Sequence, residues 1–220
     1  MSSLTLVIGN KNYSSWSLRP WLFMKQAGLT FEEVRIPLFT GTMEEQIARY
    51  SPAGRVPVLL DGDLHIWESL AICEYLAEQF PEIQGWPQDP AARALARAIA
   101  CEMHAGFTAL RSELPMNCRA RRKIQPSPAA EADIGRIIAI WQTCRKQHGR
   151  GGPWLFGAFT IADAMFAPVA SRFTTYGVDL PVGAQDFVKA VNAHPAYGEW
   201  LEAARTEAEV IEEEEVGTPV

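Results

Sequence analysis

No apolar run in the sequence reaches the roughly 18 residues that a helix needs to cross a bilayer. A membrane-spanning role is therefore not expected. The start, Met1-Ser2-Ser3-Leu4, has no basic leader, and the apolar stretch after it is too short for a signal peptide. The chain is expected to stay in the cytoplasm, where it is made. Cysteine is scarce: Cys73, Cys101, Cys118 and Cys144 are widely spaced and form no C-x-x-C and no Cys/His pair. That argues against a zinc site or a redox dithiol and agrees with a reducing compartment. No metal is expected. Cys73 and Cys101 fall on apolar helical stripes, where a cysteine is expected to be a small buried hydrophobe. Positive charge is also in short supply, with 20 Lys+Arg against 26 Asp+Glu and a formal net charge of −6. The basic run Arg119, Arg121, Arg122, Lys123 is brief and lacks interleaved aromatics, whereas a nucleic-acid surface needs a wide positive footprint. Nucleic acid is not an expected partner. Glu212 to Glu215 supply four of the negative charges and read as a solvated, frayed tail.

What is present is ordinary globular material, 48% hydrophobic and 21% charged over 220 residues, enough for one large domain or two small ones. Leu4 to Ile8 (L-T-L-V-I) reads as a buried strand. Residues 17–27 read as a helix with Ser17 as N-cap and Gly28 just past its end. Pro20 falls in its first turn, where a missing N–H costs little. Val34 to Leu38 is expected to be a second strand, followed by a short helix over 43–50. Val58 to Leu60 and Leu64 to Trp67 read as a hairpin around Asp61-Gly62-Asp63, and a helix starts near Glu68. This is a mixed sheet with helices packed on it. Pro81, Gly85, Pro87 and Pro90 then mark a linker. Beyond it the pattern is helical. Leu95, Ile99, Met103, Phe107, Leu110 and Leu114 form the seam of one long helix, and further helices are expected over 129–147, from Thr160, and over 194–209. The fold class is α/β plus all-α, divided as residues 1–80, a linker at 81–90, and 91–220.

Three motifs in the first module carry chemistry. Tyr13-Ser14-Ser15-Trp16-Ser17-Leu18-Arg19-Pro20 places hydroxyls beside the free N–H groups of a helix start, which favours negative charge; the serines also suit simple capping. Gly54-Arg55-Val56-Pro57-Val58 suits either a cis X–Pro turn, presenting the Val56 backbone to an extended peptide, or an ordinary trans proline at a strand start. Trp67-Glu68-Ser69-Leu70 offers Ser69 and adjacent N–H groups to a carboxylate and Glu68 to an ammonium group, or else simply caps a helix. No histidine lies near the serine turn and no G-x-S-x-G elbow is present, so a Ser-His-Asp hydrolase is not indicated.

The order and spacing of S-S-x-S-x-R at 14–19, V-P at 56–57 and E-S at 68–69 resemble the glutathione-binding domain of the cytosolic glutathione transferases. The S-S-x-S run is most similar to the zeta class, which includes maleylacetoacetate isomerase, and to a related group of bacterial transferases. Thr160-Ile161-Ala162-Asp163, read from its residues as a capping box, resembles the S/T-x-x-D box of the transferase C-terminal domain, and Gly157 before it matches as well. The resemblance implies an N-terminal thioredoxin-like domain that binds glutathione as co-substrate and a C-terminal helical-bundle domain that holds a small electrophile. It also implies a homodimer. Ser14 or Ser15 then donates to the glutathione thiolate, and Trp16, Arg55, Val56, Pro57, Glu68 and Ser69 surround the tripeptide. Trp16 stands where zeta enzymes carry a cysteine, a departure that weakens the case for maleylacetoacetate isomerisation specifically.

Serine suits that task. Lowering a thiol pKa from about 8.5 by two units takes roughly 2.7 kcal/mol. A hydroxyl hydrogen bond to an anion supplies about 1.5–3 kcal/mol and a helix N-terminus about 0.3–1 kcal/mol. For the electrophile, His104, Phe107 and Arg111 on the long helix are the candidate pocket residues, with His104 or Arg111 placed to neutralise an acidic substrate. The expected function is thiolate activation for attack on a small electrophile. The alternatives are a glutathione-dependent isomerase of the maleylacetoacetate or maleylpyruvate type and a non-catalytic binding protein with the same fold.

Overall fold

The alternation of side chains along β1 (Leu4–Ile8) feeds two cores at once in the computed structural model, which describes residues 4–220. Met1-Ser2-Ser3, read above for a leader, lies outside the described residues. Leu4, Leu6 and Ile8 enter the main core, while Val7 joins a smaller cluster with Ile36, Ile47 and Val58. β1 is parallel to β2 (Phe31–Arg35) and antiparallel to β3 (Val58–Asp61), which pairs antiparallel with β4 (Leu64–Trp67). The sheet order is β2-β1-β3-β4. A parallel pair requires a crossover, and α1 (Ser15–Gln26) supplies it. α1 and α3 (Ser69–Gln79) bury apolar stripes in the main core, and α2 (Met43–Ala48) seals the smaller cluster through Ile47.

The first helix begins two residues earlier than expected. Ser14, not Ser17, is its N-cap, accepting from Ser17 N–H at 3.4 Å. Ser17 is wholly buried, and its Oγ accepts from Gly9 N–H at 3.1 Å. The cap thus passed to the serine whose backbone is still outside the helix, with φ −80° and ψ 85°. The second strand likewise lies a few residues earlier than the Val34 to Leu38 expected.

The helical part follows a short 3-10 turn at Pro81–Ile83. The seam from Leu95 to Leu114 is buried as expected from Ile99 onward, but it belongs to two helices, α4 (Pro90–Ala105) and α5 (Thr108–Glu113). The break sits at Gly106, which leaves helical geometry, and Phe107, which takes φ +61° with its ring buried. α6 (Pro128–His148) starts at the Ser127 cap. α7 (Ile161–Tyr176) starts at the expected capping box, with Thr160 N–H donating to Asp163 Oδ2 at 2.8 Å. α8 (Val182–Asn192), which the sequence pattern did not single out, and α9 (Pro195–Thr206) complete the bundle. Nearly every residue of α7 is buried, and it packs against α1, α4 and α8. A helix apolar all round belongs at the centre of a fold, and α7 is the rod on which both parts meet.

Two further expectations fail. Cys101 is exposed, because it sits on the face of α4 turned from the seam, whereas Cys73 is buried. The acidic end is not a frayed tail. Residues 207–220 fold back as a strap: Glu207 accepts from Lys11 and Asn12 N–H at 2.6 and 3.0 Å, and Glu215 accepts from Tyr13 Oη at 2.7 Å and Asn117 Nδ2 at 2.9 Å. Glu215 also pairs with Arg122. Arg119 donates to the carbonyls of Glu207 and Glu209, and β5 (Arg122–Lys123) pairs with β6 (Thr218–Pro219). The basic run is therefore the strap's anchor. The opposite charges of Arg122 and Glu215, 93 positions apart, neutralise one another, which removes the reason for the tail to fray.

Candidate active site

The turn into α1 is drawn tight by Asn10, whose carbonyl accepts from Tyr13 and Ser14 N–H at 3.3 and 2.8 Å. That turn delivers Ser14 and Ser15 to the helix N-terminus, both 6% exposed. Ser14 Oγ lies 2.7 Å from Ser17 Oγ, and Ser15 Oγ accepts from Arg172 Nη2 at 3.2 Å.

Two cavities meet here. The first, of about 460 Å3, is lined by Trp16, Arg55, Val56, Pro57, Glu68, Ser69 and His104, together with Trp67 and Ala105. The structure thus gathers all six residues assigned to the tripeptide around one space. The Val56–Pro57 bond is cis. Glu68 has φ +69°, outside the ground that non-glycine residues favour, and it precedes α3 without capping it through its side chain. Backbone held this way costs of order 1–3 kcal/mol and concentrates at ligand-binding positions. It leaves the N–H donors of an 11-residue helix aimed beside Ser69. The second cavity, of about 360 Å3, shares Trp16, Arg55 and Val56 with the first and adds Ser14, Ser15, Arg111 and Arg172. Phe39 and Met43 close one side, and Ile211 and Glu214 of the strap close another. Phe107 lines neither cavity; it is 7% exposed and packed in the core beneath them.

Trp16 divides the two spaces. Its ring lies 4.2 Å from the Arg19 guanidinium carbon and 4.7 Å from that of Arg111, with the His104 ring edge-on at 5.3 Å. Such cation–π contacts hold a ring rigid when desolvated. Arg111 is itself fixed by donating to the Met103 and Gly106 carbonyls, which lack helical partners at the end of α4. Arg19 is fully buried, its nearest acceptor being Ser69 Oγ at 3.5 Å. Burial, then the charges of Arg111 and Arg172, push the Arg19 guanidinium down from its ordinary value. Burial and Arg111 likewise lower Arg172, to about 10. Burial followed by the Arg19 charge pushes His104 down, although Glu68 at 3.3 Å opposes this. His104 is therefore a neutral imidazole at neutral pH. The site is an electropositive pit beside a helix start, with Ser14 and Ser15 on its floor.

Sequence reasoning missed Arg172, Ile211 and Glu214 and noticed Arg19 only as part of a motif. Arg172 did leave a signal: a guanidinium within an otherwise apolar helix must find an anion or a functional reason. The strap residues left none, since nothing local tells where a chain end returns. No cysteine lines either cavity, and burial pushes the Cys73 thiol up, Cys118 up to about 11 and Cys144 up to about 12. Among the described residues no group of three or more His, Cys, Asp or Glu is arranged to hold a metal ion, and no helix is long and apolar enough to cross a membrane.

Comparison with known proteins supplies the family. The glutathione S-transferase N-terminal domain matches residues 13–79, and the glutathione S-transferase C-terminal domain matches residues 94–203. The chain belongs to the glutathione S-transferase family. Among curated relatives of this family member, glutathione S-transferase 1 of Dianthus caryophyllus is 44% identical over 82 residues, 37% of this chain and 36% of that protein. The "Probable maleylacetoacetate isomerase" of Caenorhabditis elegans is 28% identical over 169 residues, 76% of this chain and 77% of that protein. The chain thus spans about a third of the first relative and three quarters of the second. A glutathione transferase homolog from Burkholderia gl BGR1, solved with bound glutathione, shares the fold with a TM-score of 0.71 at 24% identity, over 94% of this chain and 100% of that one.

Proposed function

We propose that this transferase-family protein binds glutathione in the first cavity, holds its sulfur as a thiolate at the N-terminus of α1, and directs it at a small electrophile in the second. The observation that carries this is that the two cavities share the wall of Trp16, Arg55 and Val56, with Ser14 and Ser15 lining the second cavity next to Trp16. In the first cavity the Val56 backbone pairs with the extended tripeptide. Ser69 and the start of α3 receive the γ-glutamyl carboxylate, and Glu68 receives its ammonium group.

Ser14 is the favoured donor. Ser17 Oγ accepts from Gly9, so its proton is free to go to Ser14 Oγ 2.7 Å away, while Ser14 also accepts from Ser17 N–H. With its oxygen engaged twice, Ser14 has its own proton left for the sulfur. Ser15 accepts from Arg172, whose charge lowers the cost of an anion nearby. The test is Ser14→Ala and Ser15→Ala, separately, with thiolate formation on bound glutathione followed by ultraviolet absorbance against pH. Losing a charge-assisted hydrogen bond worth about 1.5–3 kcal/mol raises the thiol pKa by about 1–2 units. An unchanged pKa in both variants removes the assignment.

The similarity to the nematode protein over three quarters of this chain favours one second reading, a glutathione-dependent cis–trans isomerisation by reversible addition of the same thiolate. Assays on maleyl compounds against halogenated nitroaromatics separate the two. The same proposal divides the chain at residues 81–90 and has it act as a cytoplasmic homodimer, on the strength of the family resemblance.

A further inference from the structure

The second cavity is built for an anion that the tripeptide in the first does not supply. Arg172 is 4% exposed and lines this cavity, yet its Nε and Nη1 have no hydrogen-bond partner, and neither has Nη1 of Arg111 across from it. A buried guanidinium left with open donors costs free energy that a bound carboxylate returns through a forked, two-point contact. The same cavity contains one carboxylate of its own, Glu214 on the strap. Glu214 is half-buried and lies close enough for its charge and that of Arg172 to shift each other. It makes no hydrogen bond to either arginine, unlike its neighbour Glu215, which is tied to Tyr13, Asn117 and Arg122. The strap is therefore pinned at Glu215, while Glu214 is its one charged side chain that faces the pit, beside the apolar Ile211.

We propose that the second cavity selects electrophiles carrying a carboxylate or another planar anionic group, held by Arg172 and Arg111, and that Glu214 is the built-in competitor for those two arginines. Glu214 is thus a specificity-determining residue. It tempers the field of the pit in the free protein, and it admits an anionic electrophile only when that group makes the fork that Glu214 does not. The inference rests on the assignment of the second cavity to the electrophile, but its test needs no turnover.

Equilibrium binding of two probes of equal shape, 4-chloro-3-nitrobenzoate and 4-chloro-3-nitrobenzamide, is measured by calorimetry on the full chain, with and without saturating S-methylglutathione. In the unaltered protein the benzoate binds at least tenfold more tightly than the amide. Glu214→Gln, a change on the strap that leaves the core untouched, tightens the benzoate a further three- to tenfold and moves the amide by less than twofold. Arg172→Gln weakens the benzoate at least tenfold. Equal affinity for the two probes, no detectable benzoate binding, or a Glu214→Gln change that leaves the benzoate unaltered, weakens it, or tightens both probes alike would each overturn the proposal. Failure of the glutathione assignment reads separately, as absent binding of S-methylglutathione with the charge preference of the probes intact.

Discussion

Asp163→Asn puts a number on the joint between the two parts of the fold. Asp163 is fully buried at the start of α7, the helix that packs on both sides of the molecule. Its Oδ1 accepts from Leu155 N–H at 2.8 Å, and its Oδ2 accepts from Thr160 N–H at 2.8 Å and Thr160 Oγ1 at 2.9 Å. Asparagine keeps one acceptor oxygen and turns an NH2 toward the other donors, leaving at least one buried donor without a partner. Each such donor costs about 1–3 kcal/mol, and the weakened cap adds about 0.5–2 kcal/mol. The expected loss is about 2–4 kcal/mol, which lowers Tm by roughly 5–15 °C for a chain of this size. The pH dependence supplies an independent sign. Burial pushes the Asp163 carboxyl up to about 6 from an ordinary 3.8, against the pull of its donors. Between those values the folded protein keeps a proton that the unfolded chain has lost, so this group's contribution to stability falls as pH rises through the window and is flat above it. Asparagine does not titrate. The deficit of the variant is thus largest near pH 4 and smallest above pH 6, as read from calorimetric melts across that range. A Tm loss under 2 °C, or a deficit that grows with pH, refutes the reasoning.

Two further outcomes are expected. Glu215→Ala removes the acceptor of Tyr13 Oη and Asn117 Nδ2 and the partner of Arg122. It should cost about 1–3 kcal/mol and speed amide exchange of Val220, whose N–H donates to the Arg121 carbonyl; unchanged exchange shows that the strap is held without it. His104, followed by NMR of its ring protons, titrates below its ordinary 6.5 because of burial and the Arg19 charge, and Glu68→Gln lowers it further. Its stabilising contribution is present above 6.5 and is lost as pH falls through the window below. A midpoint above 6.5 excludes the field assigned to the arginines.

Much of the fold was legible because its signals are short-range. Alternation along Leu4 to Ile8, the turn at Gly62 and the Thr160–Asp163 box each depend on residues within one strand or one helical turn. The errors came where a short-range signal pointed two ways. A seam at helical spacing runs unbroken from Leu95 to Leu114, and its apolar spacing does not register that Gly106 and Phe107 leave the helix. Serine at 14 or at 17 satisfies the same capping rule, and the choice fell to Gly9, which needed an acceptor for its N–H.

By itself, the sequence determined most of the elements and the faces they bury, α8, the break between α4 and α5 and the outward turn of Cys101 excepted, and the motif order that marks the family. Periodicity records whether a residue faces inward, and that is enough to assemble layers. Only the tertiary structure decided which charges meet. Arg172 reaches Ser15 across 157 positions, Arg119 finds the strap carbonyl of Glu207 across 88, and Trp16 is flanked by Arg19 from its own helix and Arg111 from another. Electrostatic interaction depends on distance in space and on the water left between groups, and neither quantity is written in the spacing of residues along a chain.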